Sequence, residues 1–169
     1  KTVRPHLLEK IRLYNLGLDF TTRNCELFQE AKVNIGDTHS VCDEAMRASI
    51  IKGGYESLGW MNTTTLDAAV NNGLFDLISH IDVMKMDVEG FEHAVIDGGN
   101  SFFTSQFAPR FLYIELISAM MGNAGGLKER GTRRLDSALL KLANYGYEFA
   151  RNELGNTKIS LQTSPLEQV

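Results

Sequence analysis

Two carboxylates lie close together in the middle of the chain, at Asp87 and Glu89. They come at the end of the short apolar segment Asp82–Asp87, which we predict to be a buried strand. Open parallel sheets bind ligands at the carboxyl ends of their strands, so this position favours a binding or catalytic site. Two neighbouring carboxylates repel each other, and keeping both charged is unfavourable unless a positive group lies close to them. A metal ion, a ligand ammonium group or Lys85 would provide that positive charge.

A purely structural interpretation of the same residues is also open. Gly90 permits a tight turn at this point, and a short helix is predicted to follow it. Glu89 would then only interact favourably with the positive N-terminus of that helix. The chemistry of the segment alone does not separate an acidic strand-to-helix turn from a functional site.

The histidines and cysteines give weaker signals. His93 is a candidate general base, although a surface or hydrogen-bonded helix residue is the more ordinary interpretation. His39 and His80 lie in predicted loops and receive no role. Cys25 and Cys42 are too far apart in sequence for a CxxC pair, and we predict that both are buried free thiols.

Hydrophobic periodicity predicts alternating strands and helices. The longest stretch without a clear pattern is Asn34–Gly59, which we predict to be an irregular polar loop. Thr63, Thr64 and Thr65 offer an N-cap to a helix through Leu66 and Val70. The remaining predicted helices are Pro5–Tyr14, Phe91–Ile96 and Thr132–Tyr145, and the strands are Cys25–Val33, Asp82–Asp87, Arg110–Ile117, Tyr147–Arg151 and Lys158–Leu161.

The order of these elements predicts an α/β domain with a mostly parallel sheet. Strands alternate with helices until the last two strands, which we predict to form an antiparallel hairpin around Gly155 and Asn156. The 169 residues are enough for one domain, so we treat residues 1–169 as a single unit.

Composition restricts the function further. The formal net charge of -4 argues against a nucleic-acid partner, which usually requires a basic face. No apolar run is long enough to cross a bilayer, so we expect a soluble, cytoplasmic or organellar protein. The sequence begins at Lys1 without an initiator methionine, and a targeting segment upstream would therefore not be visible.

The segment Ile81–Gly99 closely resembles the signature block of FkbM-type methyltransferases, which form part of the class I S-adenosylmethionine-dependent methyltransferases. The resemblance lies in an apolar strand followed by Lys-x-Asp-x-Glu-Gly, then x-Glu, three apolar positions and x-Gly. Several further segments match the family in the same order, namely Leu7–Asn15, Glu30 with Ala31, Thr64–Asp67, Phe111–Leu116 and Tyr145–Tyr147.

The resemblance implies transfer of a methyl group from S-adenosylmethionine to a hydroxyl group, on a sugar, a glycolipid or another small-molecule acceptor. It implies that Asp87 and Glu89 face the methyl-transfer site as catalytic residues, where they would position the acceptor hydroxyl or bind a divalent cation. It also assigns Glu30, Ala31 and Asp87 to the cofactor, with Glu30 near the adenine. We assign no resident metal. The implied fold is the Rossmann-like class I methyltransferase sheet, in which an antiparallel strand of the final hairpin lies beside the last parallel strand.

One departure from the family limits these expectations. A complete domain begins with a strand, a turn of the type Asp-x-Gly-Ala-Asn-x-Gly, a helix and a second strand that ends in an acid for the ribose hydroxyls. Gly53-Gly54 and the segment Gly122–Gly126 do not replace that turn, because neither connects a strand to a helix in the right order.

Three explanations for this departure remain open. The chain is a fragment whose upstream part is cut, disordered or placed in another chain. Alternatively, it joins separate segments of a longer sequence, or it is a catalytically inactive methyltransferase-like scaffold or interaction subunit of a larger assembly. An NAD-binding domain is disfavoured, because the Asp-x-Glu-Gly turn and the terminal hairpin do not belong to one.

Overall fold

The computed structural model describes residues 10–30, 38–88, 90–115, 137–151 and 158–162. Within these residues the fold is mixed α/β, with two four-stranded sheets. The strands are β1 (Gly17–Leu18), β2 (Asn24–Glu30), β3 (Thr38–Val41), β4 (Tyr55–Thr64), β5 (Val83–Met86), β6 (Phe111–Glu115), β7 (Glu148–Arg151) and β8 (Lys158–Gln162). The helices are α1 (Glu44–Lys52), α2 (Leu66–Asn71), α3 (Glu92–Asp97), a 3₁₀ helix (Phe102–Thr104) and α4, described over residues 137–144.

The first sheet has the strand order β1–β4–β2–β3. β1 runs parallel to the end of β4, with Leu18 opposite Thr64. β2 is antiparallel to both β3 and β4. The carboxyl ends of β1 and β4 therefore lie side by side at one edge of this sheet.

The second sheet has the order β5–β6–β8–β7. β5 and β6 are parallel, and β8 lies antiparallel between β6 and β7. The predicted terminal hairpin is confirmed, although its turn at Gly155 and Asn156 lies outside the described residues. The prediction of a mostly parallel sheet does not hold for the described strands, because only β1–β4 and β5–β6 are parallel pairs among them.

The main hydrophobic core packs against the second sheet and fixes the position of β5. Met86, the last residue of β5, is buried in it together with residues of β6, α2, α3, α4 and the 3₁₀ helix. The largest fully buried side chains of this cluster are Leu66, Met86, Ile96, Phe102, Phe103, Leu112, Ile114 and Leu142. Burying the end of β5 in this way holds the following residue, Asp87, at the edge of the sheet.

The predicted N-cap of α2 is confirmed. The hydroxyl oxygen of Thr65 accepts a hydrogen bond from the backbone N–H of Ala68 at 2.9 Å. This satisfies one of the N–H groups that have no partner within the first turn of a helix. The helix ends at Asn71, one residue after Val70.

The prediction of an irregular loop over Asn34–Gly59 is wrong. Its described part contains β3, α1 and the first half of β4. None of the residues in α1 is buried, so this helix has no apolar stripe that a periodicity argument would detect. A polar contact holds the helix instead: the Arg47 guanidinium lies 2.5 Å from the carboxylate of Glu26 on β2, which also accepts a hydrogen bond from Ser57 on β4.

The predicted helix Pro5–Tyr14 is also wrong over its described part. Residues 11–16 have no regular structure, and residues 5–9 lie outside the described part of the chain. Leu13 is 90% exposed, and Ile11 and Tyr14 are about half exposed. Of the apolar residues that suggested a helix, Ile11 and Tyr14 are described and do not belong to the core, and short helices are marginal without such packing.

The two cysteines form a disulfide bond rather than two free thiols, so that prediction is wrong. Glu26 pairs with Val41 across the antiparallel strands β2 and β3, and this register brings Cys25 and Cys42 opposite each other. A separation of 17 residues excludes a CxxC pair but not a disulfide, and the pairing of β2 with β3, which had not been predicted, brings the two sulfurs together. The bond therefore connects the start of β2 to the residue after β3.

In the part of the chain that the structure describes, no helix combines the length and apolar character that crossing a membrane requires.

Candidate functional site

The carboxyl end of β5 presents an ion pair. The ammonium group of Lys85 lies 2.5 Å from Oδ2 of Asp87, and both side chains reach solvent. Lys85 was one of the three positive groups that the sequence offered for the acidic pair, and the structure places it there. Glu89 lies outside the described residues, so the position of the second predicted carboxylate stays a prediction.

A third carboxylate supports the loop after β5; it is the glutamate of the x-Glu step in the family signature, to which the sequence argument gave no role. Glu92, the first residue of α3, is only 1% exposed. Its Oε1 accepts hydrogen bonds from the backbone N–H groups of Val88 and Gly90, each at 3.3 Å. Its Oε2 is buried with no hydrogen-bond partner among the described residues.

Burial has the largest effect on the pKa of the Glu92 carboxyl group. Desolvation raises the pKa of Glu92, and the negative charge of Asp87 adds to the effect. Hydrogen bonds from the backbone of Glu92 itself, Gly90 and Val88 lower the pKa without cancelling the increase. The loop between β5 and α3 is thus tied to the start of the helix by a buried acid whose charged form is disfavoured.

A cleft of about 180 Å³ adjoins this loop. It lies between the loop after β5, the carboxyl ends of β1 and β4, and strands β2 and β3. Its lining residues are Gly17, Leu18, Asp19, Leu27, Thr38, Ser40, Cys42, Met61, Thr63, Val88 and Phe91. Most of the contributing side chains are apolar, and Asp19 is the one formally charged residue among them.

The charge of Asp19 is already compensated by the protein. The residue is fully buried, and its Oδ1 accepts a hydrogen bond from the backbone N–H of Phe20 at 2.7 Å. Its Oδ2 forms an ion pair with the Arg23 guanidinium at 2.6 Å, and that guanidinium also lies over the Phe20 ring. No sequence pattern indicates Asp19, because its burial depends on the approach of β1 to β4.

Asp19 and the disulfide do not form a metal site in this state of the chain. A carboxylate oxygen of Asp19 and the sulfur atoms of Cys25 and Cys42 lie within 4.8 Å of one another. Metals bind the thiolate form of cysteine, and the two sulfurs here are bonded to each other. We therefore assign no metal to this group.

The family model for the methyltransferase FkbM domain matches residues 60–149, which is more than half of the chain. The chain belongs to the FkbM methyltransferase family. Comparison with curated proteins and with solved structures gives no significant match. The FkbM match begins within β4 and continues through β5, the loop that carries Asp87 and α3 as far as β7.

Two family motifs meet behind the site and have a structural role. The backbone N–H of Asp67 donates to the carbonyl of Gly98 at 3.0 Å. The Asp67 carboxylate accepts hydrogen bonds from the backbone of Ser101 and Phe102 at 3.1 and 2.8 Å. A side chain at position 98 would collide with the carbonyl oxygen of Asp19, so glycine is needed there. These contacts hold α2 and α3 together beside β1.

The structure does not bring Glu30 to the cleft. Glu30 ends β2 opposite Tyr55, at the start of β4, whereas Leu27 of the same strand lines the cleft. Three residues of strand place Glu30 about 10 Å further along the sheet. Ala31 lies outside the described residues. The assignment of both residues to the adenine stays a prediction.

The histidines lie away from the lining of the cleft. His93 is partly buried on α3. His80 interacts with Asp82, before the start of β5, and His39 packs its ring edge-to-face against Tyr55. None of His39, His80 and His93 lines the cleft, which favours the structural interpretation of His93 over that of a general base.

Proposed function

We propose that this chain carries the methyl-transfer site of an S-adenosylmethionine-dependent methyltransferase that acts on a hydroxyl group of a sugar, glycolipid or small-molecule acceptor. The observation that carries the proposal is the family match, because it includes β5 and the loop that follows it. This loop follows the carboxyl end of β5, which is where ligands bind in open parallel sheets, so an acceptor would contact its residues.

In this proposal Asp87 and Glu89 act on the acceptor. The Lys85 ammonium holds Oδ2 of Asp87, and Oδ1 receives a hydrogen bond from the acceptor hydroxyl. A carboxylate in that position orients the oxygen nucleophile and accepts its proton. Glu92 maintains the loop through the N–H groups of Val88 and Gly90.

The described residues do not enclose a whole molecule of S-adenosylmethionine. Pockets for ligands of drug size commonly measure about 300–1,000 Å³. The described cleft, at about 180 Å³, is smaller. The support for the methyl donor is membership of the family, and the assignment of Asp87, Glu30 and Ala31 to that donor remains part of the proposal.

We further propose that the second sheet belongs to a Rossmann-like methyltransferase sheet. The antiparallel strand β8 lies between β6 and β7, which is the hairpin insertion expected from the resemblance. Among the described strands β5 pairs only with β6. Its second edge is a place where a further strand, from this protein or from a partner chain, would extend the sheet.

An inactive methyltransferase-like scaffold is the second candidate function. The small volume of the described cleft is the observation that favours it. Calorimetric titration of the full-length protein with S-adenosylhomocysteine separates the two candidates. We expect saturable heat and an increase in the melting temperature. If titration with millimolar ligand gives no heat and no thermal shift, the enzyme is rejected and the scaffold is supported.

A further inference from the structure

We infer that the chain gains a zinc site when its disulfide is reduced, with the thiolates of Cys25 and Cys42 and the carboxylate of Asp19 as the protein ligands. In the oxidised chain the two sulfurs are bonded to each other, so the site belongs to the reduced chain alone. The inference concerns the first sheet and does not depend on the proposed methyl transfer.

The candidate ligands already lie together in the folded chain. A carboxylate oxygen of Asp19 and the sulfur atoms of Cys25 and Cys42 lie within 4.8 Å of one another. Zn–S bonds of about 2.3 Å and Zn–O bonds of about 2.1 Å place two ligand atoms of a tetrahedral site about 3.6–3.8 Å apart. Once the disulfide is broken, rotation of the cysteine side chains about their Cα–Cβ bonds lets the sulfurs separate to such a distance. The three groups can therefore converge on one cation.

Strand pairing keeps the two cysteines opposite each other when the covalent bond is absent. Cys25 pairs with Met61 of β4, and the next residue, Glu26, pairs with Val41 of β3. Val41 directly precedes Cys42, and the Cα atoms of the two cysteines are 4.2 Å apart. The backbone hydrogen bonds of these strands do not involve the sulfurs, so reduction leaves the ladders in place.

Asp19 is held in one orientation by hydrogen bonds, as metal-binding carboxylates usually are. Its Oδ1 accepts a hydrogen bond from the backbone N–H of Phe20, and its Oδ2 accepts one from the Arg23 guanidinium. Each carboxylate oxygen can accept two such interactions, so each retains a lone pair for a cation. Because Asp19 is fully buried, its position is fixed before a cation binds.

The charges of the site balance when a divalent cation is bound. Two thiolates and one carboxylate carry three negative charges, which Zn²⁺ and the guanidinium of Arg23 neutralise together. Buried charges are strongly unfavourable without such compensation. Thiolate ligands favour zinc over Mg²⁺ and Ca²⁺, which prefer oxygen ligands.

The cleft provides the route for the cation and its remaining ligand. Asp19 and Cys42 line the cleft, whereas Cys25 is fully buried. Zinc sites with three protein ligands take a water molecule in the fourth position. Water that enters the cleft can supply this ligand, because the cleft adjoins two of the three coordinating side chains.

Two reactions lead from the disulfide to the zinc site. A dithiol reductant attacks the disulfide, transfers two electrons and two protons to the cysteine sulfurs, and is itself oxidised to a disulfide. Zn²⁺ then binds both sulfurs, and the two thiol protons pass to water. The cation thereby replaces the covalent connection between β2 and the residue after β3.

The test measures zinc binding by the full-length protein in its oxidised and reduced forms. A phosphine reductant opens the disulfide without oxygen present, and Zn²⁺ is titrated in competition with a chromophoric chelator. We expect the reduced protein to bind one more equivalent of Zn²⁺ than the oxidised protein. Zn²⁺ should raise the melting temperature of the reduced protein alone, and Co²⁺ in its place should give the thiolate-to-metal charge-transfer absorption of a tetrahedral site.

Variants locate the cation. Cys42→Ser should weaken Zn²⁺ binding under reducing conditions by more than about 100-fold, because losing even an outer partner of a ligand costs about 10–100-fold. Asp19→Asn should also weaken it. Asp43→Asn is the matched control, because Asp43 directly follows Cys42 but caps α1 through the N–H of Met46. If Asp19→Asn does not fold, X-ray absorption of the zinc-loaded unmodified protein identifies the same ligands as two sulfur and two oxygen atoms.

Several outcomes would overturn the inference. Equal zinc binding by the oxidised protein, or by a variant with both Cys25→Ser and Cys42→Ser, would place the cation elsewhere. A reduced and folded protein that binds no Zn²⁺ would contradict the site directly. If reduction unfolds the protein, Zn²⁺ must restore its native circular dichroism, and failure to do so has the same consequence. Full affinity in a folded Asp19→Asn variant would remove the carboxylate from the ligand set.

Discussion

At the scale of single residues, Asp87 is the side chain on which the proposed chemistry depends most. It is about one-third exposed, so replacing it should leave the fold intact. We expect Asp87→Asn to lower the rate of methyl transfer by about 10²–10⁴, the usual contribution of general acid–base catalysis. The measurement is formation of S-adenosylhomocysteine with an acceptor that the unmodified protein methylates.

The control for Asp87→Asn is Asp82→Asn. Asp82 immediately precedes the other end of β5, is exposed and pairs with His80 and Arg110. Unchanged rates in both variants would remove Asp87 from the site. Repeating the assay with a chelator separates the two roles that the sequence left open, because only a cation-binding role makes the rate sensitive to the chelator.

The buried carboxyl group of Glu92 should make the free energy of unfolding depend on pH. Its pKa is raised by burial above the ordinary value of 4.5, so the folded chain binds this proton more tightly than the unfolded chain. The contribution to stability is present below about pH 4.5 and is lost as the pH rises through the folded-state pKa. We therefore expect Glu92→Gln to stabilise the protein at neutral pH by about 1 kcal/mol relative to the unmodified chain.

Denaturant unfolding between pH 4.5 and pH 8 measures this effect. The stability difference between Glu92→Gln and the unmodified chain should grow with pH. Glu44→Gln is a suitable control, since the Glu44 side chain is 85% exposed on α1. Parallel pH profiles for the two variants would show that the buried carboxyl group is not the cause.

The residues of the site differ in how far the sequence reveals them. Asp87 could be predicted, because a carboxylate at the end of an apolar strand carries a local signal. Asp19 and Glu92 could not be assigned from the same argument. Their importance arises from burial, and burial depends on where β1, β4 and α3 pack in three dimensions.

At the scale of elements, α2 shows how a local signal places a helix correctly. Thr65 caps it through the N–H of Ala68. Loss of such a cap typically costs about 1 kcal/mol, so Thr65→Ala should reduce the free energy of unfolding by that amount. Thr65→Ser should restore most of it, because serine provides the same acceptor. Chemical denaturation of the three proteins is the measurement, and equal stabilities would contradict the capping role.

The elements that the sequence did not reveal share one physical property. α1 buries no side chain, and most residues of β4 alternate between partial and full exposure. Periodicity detects an element by its apolar face, so an element held by polar contacts or by backbone pairing alone gives no such signal. The ion pair of Arg47 with Glu26 and the ladder between β2 and β4 are contacts between distant parts of the sequence.

At the scale of the whole molecule, the family match and the core coincide. Residues 60–149 contain most of the hydrophobic core, and the second sheet was largely predictable from the sequence. The first sheet lies mainly before the match. Its strand β2 was predicted as Cys25–Val33, whereas β1, β3 and β4 were not predicted. The cleft lies between the first sheet and the matched segment, because Leu18 and Leu27 belong to the first sheet and Val88 and Phe91 to the matched segment.

The disulfide stabilises the first sheet, whose strands contribute none of the buried residues of the main hydrophobic core. It closes a loop with a sequence separation of 17 residues between Cys25 and Cys42. Closing a loop of about this size lowers the entropy of the unfolded chain by an amount worth about 3 kcal/mol. A reducing agent should therefore lower the free energy of unfolding by about 3 kcal/mol.

The chain provides its own control for this experiment. It contains two cysteines, so the reducing agent can break no other disulfide within it. A variant with Cys25→Ser and Cys42→Ser should match the reduced protein and should not respond to the reducing agent. If the unmodified protein is equally stable with and without the reducing agent, the bond does not constrain the unfolded chain.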